Sequence, residues 1–180
     1  MDILNLDFQQ DFFQLFNLPA AFKIDSTALE RNFLALQAQV HPDKFAHLSE
    51  AERRLSMQWA TRVNEGYQTL RNPLNRARYL LLQHGVDTQE ESNTAMPMDF
   101  LVQQMEWREA LDAARQSKDS AALEDMEQRM QHEVRILQQQ LARDIDDIRD
   151  YPAASGIVRK LKFLEKLAEE IGSAFDELDS

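Results

Sequence analysis

The chain has no cysteine, and only four glycines and five prolines in 180 residues. Without a thiol there is no disulfide framework, no thiolate metal ligand and no cysteine nucleophile. Glycine plus proline is 9 of 180 residues, less than half the average share of about 12%. So few turn-formers cannot supply the many tight turns of a β-sandwich or barrel. No run approaches the roughly 20 apolar residues needed to span a bilayer. The start, Met1-Asp2-Ile3-Leu4, lacks the basic segment that opens a secretory signal. No glycine-rich phosphate loop occurs, so the chain itself is not expected to bind ATP. The expectation is a cytoplasmic, soluble, all-α protein that is not an enzyme and takes no cofactor.

What is present is helix-forming residues and acid. The long runs between the turn-formers are rich in Leu, Ala, Gln, Glu and Arg. Acids outnumber basic residues by 31 to 20, and the excess is not spread evenly. Residues 1–85 hold nine of each sign, whereas residues 86–180 hold eleven basic and 22 acidic side chains, a net of −11. The step argues for two domains. A pI near 4.8 argues against nucleic-acid binding and against anionic membrane, both of which need clustered Lys and Arg.

Apolar spacing places the helices. Leu15, Phe16, Leu18 and Pro19 close a short opening helix rich in phenylalanine (Phe8, Phe12, Phe13, Phe16). Asp25 or Ser26 caps the next helix, whose stripe is Leu29, Phe33, Leu36 and Val40 and which Pro42 stops. Ser49, followed by Glu50 and Glu52, opens a helix with the stripe Leu55, Trp59, Val63, Gly66 and Leu70, ending before Pro73. Residues 74–84 read as one further helix closed by Gly85.

The polar stretch 86–96 reads as a linker between domains at 1–85 and 97–180. Three long helices follow it. One starts at or just after Pro97 and runs to about Arg115. The second carries Leu123, Met126, Met130, Val134, Leu137, Leu141, Ile145 and Ile148, and the third, from near Pro152, carries Ile157, Leu161, Leu164, Ala168, Ile171, Phe175 and Leu178. Sustained spacings of three and four with short connections predict an up-down-up three-helix bundle.

Between the two long N-terminal helices stands His41-Pro42-Asp43-Lys44-Phe45. Taken alone, the tripeptide is either a working loop or a helix stop followed by an ordinary capped turn. With its two flanking stripes and the helix tail Asn64-Glu65-Gly66-Tyr67-Gln68-Thr69-Leu70, it resembles the J domain of DnaJ-like co-chaperones. The further segments FNLP, NEGYQTLRNPLNRARYLL, FLVQQMEWREAL and VRKLKFLEKL extend the likeness over nearly the whole chain. Together they resemble the HscB family, J-domain co-chaperones of iron–sulfur cluster assembly.

The resemblance implies an N-terminal J domain, a helical hairpin carrying the HPD loop, joined to a C-terminal bundle. It implies docking on an ATPase chaperone of the DnaK/HscA class and acceleration of that partner's ATP hydrolysis through His41, Pro42 and Asp43. J domains usually present basic residues on the outer face of the helix before the tripeptide. Here only Arg31, with Lys44 in the loop, marks that face. Either the contact is electrostatically weaker, or Arg53, Arg54 and Arg62 contribute.

A second site follows from helix angles. With Phe100 at zero and 100° per residue, Trp107, Leu111, Ala114 and Ala110 fall at about 340°, 20°, 320° and 280°, one core-facing stripe. Leu101, Met105 and Val102 fall at about 100°, 140° and 200°, away from it, with Asp112, Glu109 and Glu106 at about 120°, 180° and 240°. Phe163 lies about 100° off the third-helix stripe, flanked by Lys160 and Lys162. An apolar patch bordered by carboxylates is either a partner surface or a face covered by another helix. The resemblance assigns Leu101, Val102, Met105, Glu106, Glu109 and Phe163 to binding the IscU-type scaffold protein.

Two other signals are weaker. Asp144, Asp146, Asp147 and Asp150 lack the glycine and glutamate of an EF-hand loop, with Arg149 and Ser155 at those places. His47, His84 and His132 have no spacing of a zinc site. The alternative function is a helical adaptor whose bundle mediates oligomerisation or protein assembly.

Overall fold

The computed structural model describes residues 7–41, 43, 49–88 and 96–178. Every element among them is helical: α1 Phe12–Leu15, α2 Ser26–Val40, α3 Glu50–Arg71, α4 Pro73–Gln83, α5 Met98–Ser117, α6 Ser120–Ala142 and α7 Tyr151–Leu178, with a π-helical stretch Arg143–Ile148 after α6. The chain divides into two compact units, Met1–Leu80 and Leu81–Ser180, with the dividing point inside α4.

In the first unit α2 and α3 form an antiparallel hairpin. Phe33 at the middle of α2 stacks on Tyr67 near the end of α3 at 4.0 Å, while Val40 at the end of α2 meets Ser56 nearer the start of α3. Both helices start on side-chain caps. Asp25, rather than Ser26, caps α2 by accepting from the Thr27 and Ala28 amides, and Ser49 and Glu52 form a capping box on α3. Each satisfies backbone donors that the first helical turn leaves unpaired. The buried face of α3 is Ser56, Trp59, Val63, Gly66 and Leu70; the last four follow the expected stripe, whereas Leu55, which opened it, is only half-buried.

At Gly66 the phenylalanine-rich segment around α1 packs tightly against α3. A Cβ there would lie 2.8 Å from Phe12 and 2.9 Å from Phe16. Phe8, outside α1, stacks on Trp59 at 4.0 Å. Arg76 of α4 is buried and donates to the carbonyls of Phe22 at 2.7 Å and Leu70 at 2.6 Å, its guanidinium lying over the Phe22 ring.

In the second unit α5, α6 and α7 pack pairwise around one core. The connections after α5 and after the π-helical stretch are two residues each, which turns neighbours antiparallel. Cross-contacts between α5 and α7 establish the up-down-up order: Phe100 meets Phe163 near one end, and Arg115 donates to the Glu170 carbonyl towards the other. Thr88, within the stretch read as a linker, is buried, and its carbonyl accepts from Arg159 at 3.3 Å.

Several positions depart from the helix-angle reading: on α7, Ala168, Phe175 and Leu178 are only half-buried, while Leu167 and Ala174 are in the core. Ile148, placed on the α6 stripe, is 57% exposed. The π-helical turns from Arg143 advance by less angle per residue, so Ile145 still reaches the core and Ile148 does not. Ala110, at the edge of the α5 stripe, is also exposed, leaving Phe100, Trp107, Leu111 and Ala114 as the buried side.

Candidate functional site

Two surfaces carry the residues singled out by the sequence, one in each unit.

The first is the end of α2. The helix stops at Val40, and His41 has left helical geometry at φ −59°, ψ 128°, as the residue before a proline must. The last turn of a helix leaves carbonyls unpaired. The Val40 carbonyl is taken by the Ser56 hydroxyl at 2.7 Å, in a buried contact. This bond fixes the backbone one residue ahead of the tripeptide.

Beyond it, His41 and Asp43 are exposed and face each other. His41 Nδ1 accepts from the Asp43 amide at 3.3 Å and lies 3.6 Å from the Asp43 carboxylate. The amide contact needs a bare Nδ1 and the ion pair a protonated one, so the two exclude each other. We favour the amide contact, which is shorter and involves a donor with a fixed hydrogen; in the neutral ring the proton then sits on Nε2. Pro42 and Lys44 lie outside the described residues.

Of the candidate cations, Arg31, Arg53 and Arg54 are exposed. Arg62 is committed elsewhere. It is half-buried, donates to the Gln10 carbonyl and stands over the Phe12 ring at 5.2 Å. It braces α1 and is removed from the list of docking cations.

The second surface is the outer face of α5. Val102 is 48% and Met105 61% exposed, and Glu106 and Glu109 are exposed beside them. Leu101 is half-buried. Phe163 is half-buried too, its ring set edge-on to Phe100 at 5.7 Å and 87°. Arg108 stands over the Phe163 ring at 5.9 Å and Lys160 over the Phe100 ring at 5.3 Å. The patch is therefore graded, with exposed methionine and valine outermost and leucine and phenylalanine at the edge against α7.

Sequence reasoning missed one member of this face. Met98, at 75%, is among the most exposed large apolar side chains described. Two positions before Phe100 it falls at about 160°, between Leu101 and Val102. The angle arithmetic would have found it had it been carried one turn towards Pro97. Among the described residues no group of three His, Asp or Glu side chains is placed to hold a metal ion. Asp144 is instead buried, with its carboxylate 3.5 Å from Arg143 Nε.

Known proteins were compared with this chain. A family model described as the HSCB C-terminal oligomerisation domain matches residues 96–172. A protein of Chromobacterium violaceum named a co-chaperone protein HscB homolog is 55% identical over 175 residues, 97% of this chain and 99% of its own. A homolog of the same name from Aromatoleum aromaticum is 50% identical over 177 residues, 98% of this chain and all of its own. Among solved structures, the chaperone HscB from Vibrio cholerae superposes with a TM-score of 0.84 at 36% identity, covering 94% of this chain and 99% of that one. The human co-chaperone HscB superposes with a TM-score of 0.88 at 29% identity, covering 93% and 83%.

Proposed function

The chain belongs to the HscB family of co-chaperones, and from that premise we propose that it hands an iron–sulfur cluster scaffold protein to a DnaK/HscA-class ATPase in the cytoplasm. It does so as a non-enzymatic adaptor. Residues 1–85 act as the J domain, 86–96 as the linker and 97–180 as the scaffold-binding bundle.

In this reading His41, Pro42 and Asp43, with Lys44 and Arg31, dock on the chaperone and stimulate its ATP hydrolysis. Leu101, Val102, Met105, Glu106, Glu109 and Phe163 hold the IscU-type scaffold. The observation that carries it is the pairing, in one chain, of an exposed His41–Asp43 loop braced by Ser56 with an exposed apolar face on α5 edged by carboxylates. Anchoring the Val40 carbonyl fixes the point from which His41 leaves the helix, which lowers the ordering cost of docking. Exposed methionine and valine give the bundle apolar area to bury against a partner.

Phosphate release tests the first half. The protein is mixed with a DnaK/HscA-class ATPase, and the expected stimulation disappears in His41→Gln. Capture of the scaffold tests the second, with loss of binding expected for the Leu101→Ala, Met105→Ala, Phe163→Ala triple variant. Undiminished capture removes the assignment of that face.

The description of the matching family as an oligomerisation domain favours a second reading, in which the bundle binds copies of itself. Light scattering of the pure protein separates the two. A dimer dispersed by the same triple variant would assign the face to self-association.

A further inference from the structure

Residues 86–180 carry a net charge of −11, yet four of their eleven basic side chains line one groove. Arg108 of α5 and Arg159, Lys162 and Lys166 of α7 surround it, with Gln104 and Phe163, and among the described residues no carboxylate lines it. Three of the four have partners: Arg159 bonds the Thr88 carbonyl and the Ser155 hydroxyl, Lys162 pairs with Glu165 at 2.7 Å, and Arg108 stands over the Phe163 ring. Among the described residues neither Arg108 nor Lys166 has an ion pair. Like charges held together repel, and among the described residues only Lys162 of the four has a carboxylate partner, on a half of the chain with twice as many acids as bases.

The groove's place on the bundle gives this meaning. Around α5, Arg108 falls at about 80°, Leu101, Met105 and Val102 at about 100°, 140° and 200°, and Glu106 at about 240°. Asp112 at about 120° and Glu109 at about 180° lie among the apolar residues, so the outer face is cationic at the Arg108 edge and acidic across the rest. A face graded in this way is complementary to one orientation of a partner and repels the reverse.

We propose that the groove beside Phe163 receives a carboxylate side chain of the scaffold protein, setting the orientation in which the scaffold lies on α5. The proposal rests on the reading that this face holds the scaffold. Size and field both suit a single carboxylate. The groove is open to solvent and measures about 180 Å3, room enough for one carboxylate side chain. The acidic surroundings disfavour a polyanion such as nucleic acid or an anionic membrane. Arg108 and Lys166 supply the charge, and the Phe163 ring offers an apolar wall for the carboxylate's own methylenes.

The test is a binding titration of the full chain with purified scaffold protein at about 50 and about 300 mM salt, a range over which exposed ion pairs become strongly screened. In Arg108→Gln/Lys166→Gln the affinity at low salt is expected to fall roughly tenfold and to lose most of its salt dependence. Met105→Ala is expected to weaken binding by a similar factor at both salt concentrations. A thermal melt equal to that of the wild type verifies that the double variant is folded. Wild-type affinity and an unchanged salt slope in the double variant overturn the groove assignment while leaving the scaffold reading intact. Failure of the wild-type protein to bind scaffold overturns both.

Discussion

The Ser56 hydroxyl donates to the Val40 carbonyl at 2.7 Å across the buried seam of the α2–α3 hairpin. The two residues are 16 positions apart, and the intervening chain contains the whole HPD loop. The loop is thus closed at its base by a side chain on the helix that follows it. Ser56→Ala leaves a buried carbonyl without a donor, at a cost of about 1–3 kcal/mol. Thermal melting of the variant should show a lowered transition, and stimulation of the ATPase should fall more than His41 exposure alone explains. A variant that melts and stimulates like the wild type would show that the brace is redundant.

Gly66→Ala reverses the usual helix arithmetic. In an exposed helix interior alanine is favoured over glycine by about 1 kcal/mol. At position 66 the new methyl would stand 2.8 Å from Phe12 and 2.9 Å from Phe16, closer than packed atoms tolerate. The variant is expected to be less stable by about 1–3 kcal/mol through overpacking. A rise in melting temperature would mean that α1 moves aside freely.

Gly66 also shows what the sequence could and could not convey. Its place on the buried stripe follows from spacing alone, as do Trp59, Val63 and Leu70. That it is small because α1 lies against it depends on a contact about fifty residues away, which no local pattern encodes. The exposed side of α5 was legible for the same reason as the core of α3, since both are angular facts about one helix. Phe163 was placed off its stripe correctly, but its edge-on contact with Phe100 joins two helices. Ile148 was lost to a change of winding at Arg143 that residue spacing does not announce.

Arg76 is the plainest case of a residue whose role is invisible locally. It reads as one more charge in an amphipathic helix, yet it is buried and holds two backbone carbonyls, Phe22 and Leu70, through separate nitrogens. Lysine keeps the charge but has a single nitrogen and no planar fork. Arg76→Lys should therefore cost about 2–4 kcal/mol, because charged hydrogen bonds to buried acceptors are lost. Chemical denaturation would register it as a lower midpoint at unchanged slope. Near-wild-type stability in Arg76→Lys would show that charge, rather than the fork, is what the site needs.

The exposed methionines make the α5 face sensitive to peroxide. Met98 and Met105 stand 75% and 61% exposed, whereas Met126 and Met130 are buried in the bundle core. Peroxide transfers one oxygen to the thioether, giving the sulfoxide and water, and turns an apolar side chain polar. Peptide mass mapping after mild treatment should find Met98 and Met105 oxidised well before Met126 and Met130. Scaffold binding should fall in step with that oxidation, because the face loses the apolar area it would bury. Met57 is equally exposed but belongs to the other unit, so Met57→Leu should change nothing. Met98→Leu/Met105→Leu should keep its affinity after peroxide, and loss of binding in that variant would move the sensitive residue elsewhere.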